Sequence, residues 1–186
     1  MHEKDELVYR RFLKERGEND LRLLLERHKE SLMLFLLGYV HSMEDAEELM
    51  MDAFAVVASG TSAFSERSSF RTWLFGIARN QARMLLRKKR GFSASLDEEG
   101  HTQEADTPEL ALLRQEKNRE LYLALEALPE DYRQALYLLY FEDMDAEEAA
   151  HVMGKTKKQI YNLTQRGKNA LREVLERMGF DDAQYR

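Results

Sequence analysis

The segment Asp145–Arg172, DAEEAAHVMGKTKKQIYNLTQRGKNALR, restricts the fold of this chain more than any other. It carries two helix-start signals with Gly154 between them. Asp145 heads the first, with Glu148 three residues on; Thr156 heads the second, with Gln159 in the reciprocal position. A short helix, a tight turn and a second helix make a helix-turn-helix, whose second helix can enter a DNA major groove. At about 100° per residue, Ile160, Leu163, Ala170 and Leu171 fall on one side of that helix. Lys157, Lys158, Tyr161, Asn162, Gln165, Lys168, Asn169 and Arg172 fall on the other, and no acid lies between Lys155 and Arg172. Amide and basic side chains are those that hydrogen-bond base edges and phosphates. On this segment alone, a solvated amphipathic helix in a bundle remains the competing reading.

The rest of the chain also reads as helical. Two prolines and nine glycines in 186 residues, with long runs of Leu, Glu, Arg and Ala, predict an all-α protein. The net charge of −6 hides two opposed blocks. Arg67 to Arg90 holds eight bases (Arg67, Arg71, Arg79, Arg83, Arg87, Lys88, Lys89, Arg90) and no acid, whereas Leu96 to Glu109 holds six acids and no Lys or Arg. With no cysteine, disulfides and cysteine-ligated zinc are excluded. The N-terminal MHEKDELVYRR lacks the apolar core of a signal peptide, and the apolar run Leu32–Val40 is too short to span a membrane. An intracellular location without membrane insertion is expected.

Along the chain, residues 1–19 read as an N-terminal extension. Helical spacing then begins at Asp20 and runs to Val40 through Leu21, Leu24, Leu25, His28, Leu32, Phe35 and Leu36. Ser42 can cap a second helix reaching about Val57. After a break at Gly60 and a loop at Phe64–Ser68, a third helix runs from about Ser69 to Arg90. Its expected inner face is Phe70, Trp73, Leu74, Ile77 and Leu85, with Arg79, Arg83, Arg87 and Arg90 nearly opposite. Gly91 to Pro108 is small, polar and acidic, as an interdomain linker would be. Helical spacing resumes at Glu109, and Pro129 opens a helix with Tyr132, Leu136, Leu139 and Tyr140 as its core stripe. The helix-turn-helix ends near Met178, with Gly179 as a stop and 179–186 as a tail. Two small helical domains, 20–90 and 109–178, are the expected architecture.

Two further strings sharpen the reading. One is Asp45-Ala46-Glu47-Glu48-Leu49-Met50-Met51-Asp52-Ala53-Phe54; the other runs Phe64-Ser65-Glu66-Arg67-Ser68-Ser69-Phe70-Arg71-Thr72-Trp73-Leu74, on to Ile77-Ala78-Arg79-Asn80. They resemble region 2 of extracytoplasmic-function (group IV) sigma factors, which read D-A-E-D-L-V-Q-E-x-F and then F-R-G-x-S-S-F-R-T-W-L-x-x-I-A-R-N. The second half is similar to their region 4, with Leu128-Pro129-Glu130 at its start and Glu147-Glu148-Ala149-Ala150 where E-E-I-A is usual. The resemblance covers about Asp20 to Met178.

The resemblance implies a detachable polymerase subunit that directs promoter-specific initiation. Asp45, Glu48, Leu49 and Asp52 would dock on the β′ clamp helices of RNA polymerase core, with region 4 on the β flap. Carboxylates at i, i+3 and i+7 share a helix face suited to arginines; taken alone, such a face reads as solvated. Met51 stands where the family has Gln. The loop and helix carrying Ser65, Arg67, Ser68, Arg71, Arg79, Asn80, Arg83 and Arg87 would take the opened −10 element, capturing a base that has left the stack. Trp73, on the apolar side with Phe70 and Ile77, reads as core rather than as a stacking platform. Val56–Gly60 departs from the family's aromatic and basic residues. Thr156, Lys157, Lys158, Tyr161, Asn162, Gln165 and Arg166 would read the −35 element as duplex, Arg166 toward a phosphate. Gly167 faces the core. An anti-sigma partner is implied; a cofactor, a metal or catalytic residues are not.

Rival classes explain less. A dimeric helix-turn-helix regulator accounts for Asp145–Arg172 but not for the first half. An enzyme would need a motif that five scattered histidines (His2, His28, His41, His101, His151) do not supply, and His28 and His151 read as packing residues. A pure protein-interaction module, such as an anti-sigma factor, needs no basic recognition face.

Overall fold

In the computed structural model, which describes residues 3–62, 64–93, 121 and 123–179, all regular structure among the described residues is helical. The helices are α1 (Asp5–Glu15), α2 (Glu18–Val40), α3 (Met43–Ser59), α4 (Phe70–Ser93), α5 (Glu130–Tyr140), α6 (Ala146–Met153) and α7 (Lys157–Arg177). They fall into two compact units, α1–α4 in one and α5, α7 and most of α6 in the other.

The first unit is a four-helix bundle in which α2 packs against α1, α3 and α4. The expected stripe of α2 is buried at Leu24, His28, Leu32, Phe35 and Leu36. Ser42 caps α3 by accepting from the Asp45 N–H at 3.3 Å, and Gly60 closes it at φ 67°, a conformation glycine adopts at little cost.

Residues 5–15 are not an appendage. Despite its charges, α1 buries Val8, Tyr9 and Phe12, and burial of such side chains contributes about 1.5–3 kcal/mol each. Tyr9 lies 5.2–5.9 Å from the rings of Phe64, Phe70 and Trp73 and donates its hydroxyl to the Val57 carbonyl at 3.2 Å. Trp73 is therefore half-buried within this aromatic cluster. Asp5 binds Arg27 at 2.6 Å and the buried His28 at 2.7 Å. Burial lowers the His28 pKa from 6.5; Asp5 opposes the shift, and Arg71 and Arg27 add to it.

The α4 helix is phased differently from the expectation. Its fully buried positions are Phe70, Leu74, Phe75, Ala78 and Ala82, together with Thr72, so the inner face lies roughly a quarter turn from the predicted one. Ala78 and Ala82 bring the backbone close to its neighbours, while Ile77 and Leu85 are only half-buried. The helix extends to Ser93, so 91–93 belong to it rather than to the linker; residues 94–108 of that linker lie outside the described residues.

In the second unit α5 packs on α7. Its core joins Ala124, Leu125, Leu128, Leu136 and Val174, with Tyr132, Ala170 and Leu171 against them. Residues 123–126 are helical, whereas 109–120 of the predicted helical stretch lie outside the described residues. Tyr140, expected in the core, is exposed, and Ala135 and Leu138 are buried instead. Gly167 sits at a close approach: a Cβ there would lie 3.2 Å from Leu136 Cδ1 and 3.3 Å from Tyr132 Cβ, so both would have to give way.

Candidate nucleic-acid interface

The α7 helix is built by local signals. The Thr156 hydroxyl accepts from the Gln159 N–H at 3.3 Å, and Gln159 Oε1 accepts from the Thr156 N–H at 2.8 Å. This closed capping box contributes about 1 kcal/mol. The turn before it is set the same way. Asp145 Oδ1 accepts from the N–H groups of Glu147 (2.7 Å) and Glu148 (2.9 Å), and Glu148 Oε2 accepts from the Asp145 N–H at 3.1 Å. These bonds, to Glu148 and then to Glu147, hold the Asp145 carboxyl below its usual pKa.

Ile160, Thr164, Gly167 and Val174 form the buried side of α7, and Thr164 satisfies its hydroxyl on the Ile160 carbonyl at 2.8 Å. Every residue expected to read duplex is exposed: Thr156, Lys157, Lys158, Tyr161, Asn162, Gln165 and Arg166. Lys168, Asn169 and Arg172 extend the same surface toward the helix end, and Lys168 sits 4.7 Å over the exposed Tyr140 ring. Two acids flank the start of the helix, Glu147 at 4.0 Å from Lys157 and Asp131 at 3.0 Å from Lys155.

A second surface is assembled by long-range contacts. The loop Phe64–Ser69 leads into α4, whose first free N–H, from Phe70, is taken by Glu6 Oε1 at 2.9 Å. Ser69 caps the next turn, accepting from the Thr72 N–H at 3.1 Å. Phe64 packs edge-on to Tyr9 and Phe70. Ser65, Arg67 and Asn80 are exposed, Ser68 is half-buried, and Arg71 is half-buried near His28. Glu66 holds a left-handed φ of 56°, at the position where the family pattern carries Gly. Arg10 grips its carboxylate, Nη2 lying 2.7 Å from both oxygens.

The arginines of α4 do not form one exposed stripe. Arg79 is only 8% exposed, because the rotated inner face places it at the flank of Phe75, Ala78 and Ala82. Its aliphatic stem suits that position. Arg83 and Arg87 are exposed. Arg87, however, lines a groove between α3 and α4 with Lys88, Gln81, Met84 and Leu85 facing Glu48, Leu49 and Asp52.

That groove bears the acidic face expected on α3. Glu48 and Asp52 are exposed at its rim, and Leu49 is buried in its wall. Asp45 is held by Lys89 at 2.6 Å and is mostly covered. Sequence spacing placed the three carboxylates on one face; the ion pair to α4 separates Asp45 from the other two. Among the described residues no cluster of His, Asp or Glu could hold a metal ion, and no helix is long and apolar enough to cross a membrane.

Comparison with known proteins matches both units. Residues 24–92 match the family model for Sigma-70 region 2 and residues 118–171 that for Sigma-70, region 4. The RNA polymerase sigma-H factor of Pseudomonas aeruginosa is 29% identical over 167 residues, 82% of this chain and 86% of that protein. The RNA polymerase sigma factor YlaC of Bacillus subtilis is 28% identical over 153 residues, 81% and 88% of the two chains. The ECF RNA polymerase sigma factor SigX of the same organism is 25% identical over 165 residues, 86% of this chain and 85% of that protein. Among solved structures, the sigma factor RpoE in complex with the anti-sigma factor NepR, from Bartonella quintana, superposes with a TM-score of 0.74 at 25% identity. The match covers 84% of this chain and 97% of that one.

Proposed function

The chain belongs to the sigma-70 family of RNA polymerase sigma factors, in its extracytoplasmic-function branch, and from that premise we propose how its two units divide promoter recognition. A sigma factor binds polymerase core and directs promoter-specific initiation. In this chain α7 reads the −35 element as duplex. The observation that carries this assignment is its exposed face, acid-free from Lys155 to Arg172 and starting from a closed capping box. Lys158, Asn162 and Gln165 reach base edges; Lys157, Arg166 and Arg172 take phosphates. Each good bidentate base contact is worth about 1–3 kcal/mol of discrimination, and phosphate contacts add affinity without sequence choice.

The loop Ser65–Ser68 receives the opened −10 strand, with Asn80 and Arg83 beside it. Arg79 supports that surface from its covered position. Glu48, Asp52 and the groove below them take the β′ clamp helices, and the second unit takes the β flap. Asp45 contributes by fixing α3 on α4 through Lys89. Neither grip alone is tight; polymerase core, by holding both units, makes the second contact effectively intramolecular. The sigma-factor surfaces are also those an anti-sigma partner would cover, in the cytoplasm where polymerase is found, and the chain is a regulatory initiation factor rather than an enzyme.

Run-off transcription from mixed promoter fragments with sigma-free polymerase core tests this. Defined transcripts that appear only when the protein is added are expected. Tight duplex binding by the protein alone, with no transcript from any fragment, contradicts it.

A further inference from the structure

We propose that Arg10 is a positioning residue for promoter reading, holding Glu66 in its left-handed conformation and thereby fixing how Ser65 and Arg67 are presented. The inference rests on the reading of the Ser65–Ser68 loop as the −10 contact. Four observations converge on it. Glu66 has φ 56°, a backbone region that is costly for a residue carrying a side chain and persists only where neighbours impose it. Its carboxylate is held in a fork: Arg10 Nη2 at 2.7 Å from both oxygens and Nε at 3.3 Å from Oε1. Such paired, charge-assisted bonds fix orientation as well as position.

The backbone that carries Arg10 is held by its neighbours. One residue from Arg10, Tyr9 is wedged among Phe64, Phe70 and Trp73, and Glu6 bonds the first N–H of α4. Finally, the pair is solvent-exposed, its side chains 61% and 48% accessible. An exposed pair adds little to global stability, so its consequence lies in what it orients. Ser65 and Arg67, on either side of Glu66, are both exposed; a reversal of the Glu66 φ would redirect the peptide groups and side chains between them.

The test uses full-length protein, sigma-free polymerase core and a template library randomised across the −10 element. Four proteins are compared: the parent, Arg10→Ala, Glu66→Gly and the double variant. Arg10→Ala is expected to lower transcript yield about 5-fold and flatten the base preference at −10, as misplacement of contacts does. Its thermal midpoint, followed by Trp73 fluorescence, stays within about 2 °C of the parent. In the Glu66→Gly background the Arg10→Ala effect disappears, because glycine adopts positive φ without help. An equal loss from Arg10→Ala in both backgrounds overturns the proposal, since Arg10 then acts on DNA or on folding. No loss in either background, or a Glu66→Gly protein that is itself inactive, overturns it as well. Arg67→Ala separates the two levels: if it leaves the −10 preference intact, the loop reading itself fails. If it flattens that preference while Arg10→Ala does not, only the brace fails.

Discussion

The two candidate DNA surfaces are made in opposite ways. The α7 surface is specified within a few residues of itself, by a capping box, a turn glycine and an apolar stripe on one helix. The loop before α4 is specified from more than fifty residues away, by Glu6, Tyr9 and Arg10 of α1. A helix entering a duplex groove needs only an exposed, correctly charged face. A loop that receives an unstacked base needs its backbone held, and a loop cannot do that for itself. Damage to α1 should therefore disable the loop surface from a distance, whereas the α7 surface should fail only where it is touched.

The largest break in that comparison is expected from Tyr9→Ala. Loss of a buried aromatic with its hydroxyl bond costs about 3–5 kcal/mol. Urea unfolding followed through Trp73, the chain's one tryptophan, should report it, while −35 duplex recognition by α7 survives. An unchanged Trp73 transition would mean that α1 is dispensable. The corresponding core lesion in the second unit, Gly167→Val, is expected to cost about 2 kcal/mol, since Tyr132 Cβ has no rotamer with which to move aside. The fluorescence of Trp73 should not register it.

Smaller effects sharpen the comparison. Thr156→Ala opens the capping box and should cost about 1 kcal/mol, visible as a lower midpoint of the helical signal of the second unit. The subtlest is pH. Burial holds His28 neutral, so its pKa lies below 6.5 in the folded chain, and the unfolded chain binds the proton more readily. The stability from His28 is complete above about pH 6.5 and is lost as pH falls through the lower native value. The Trp73 transition should move to lower urea between pH 7 and 5, and His28→Gln should flatten that slope. A slope unchanged in the variant would assign the effect elsewhere.

The same division explains what the sequence disclosed. Both capping boxes, the Ser42 cap, the Gly60 stop and the core position of Gly167 were legible because each depends on neighbours three or four residues away, or on one helix's phase. The α1 helix was not. Its three buried residues sit among Asp5, Glu6, Arg10 and Arg11, whose charges read as solvated until their partners Arg27, His28, Phe70, Glu66 and Asp20 are in place. The phase of α4 was misread for a related reason. Trp73 and Ile77 outweigh Ala78 and Ala82 in hydrophobicity, yet close helix packing selects the alanines. That error carried Arg79 to the wrong face. Glu66 could have been flagged, since it replaces the glycine of the family pattern; only the fold reveals that Arg10 pairs with it.

The most direct test of two separate grips is the base preference of transcripts selected from a library randomised at both promoter elements, with sigma-free core and two variants. Arg67→Ala with Arg83→Ala should flatten the preference at −10 and leave −35 intact. Lys158→Ala with Asn162→Ala should flatten −35 by roughly 10-fold in preference per lost base contact and leave −10 intact. Loss of both preferences together in either variant, or of neither, would contradict the account.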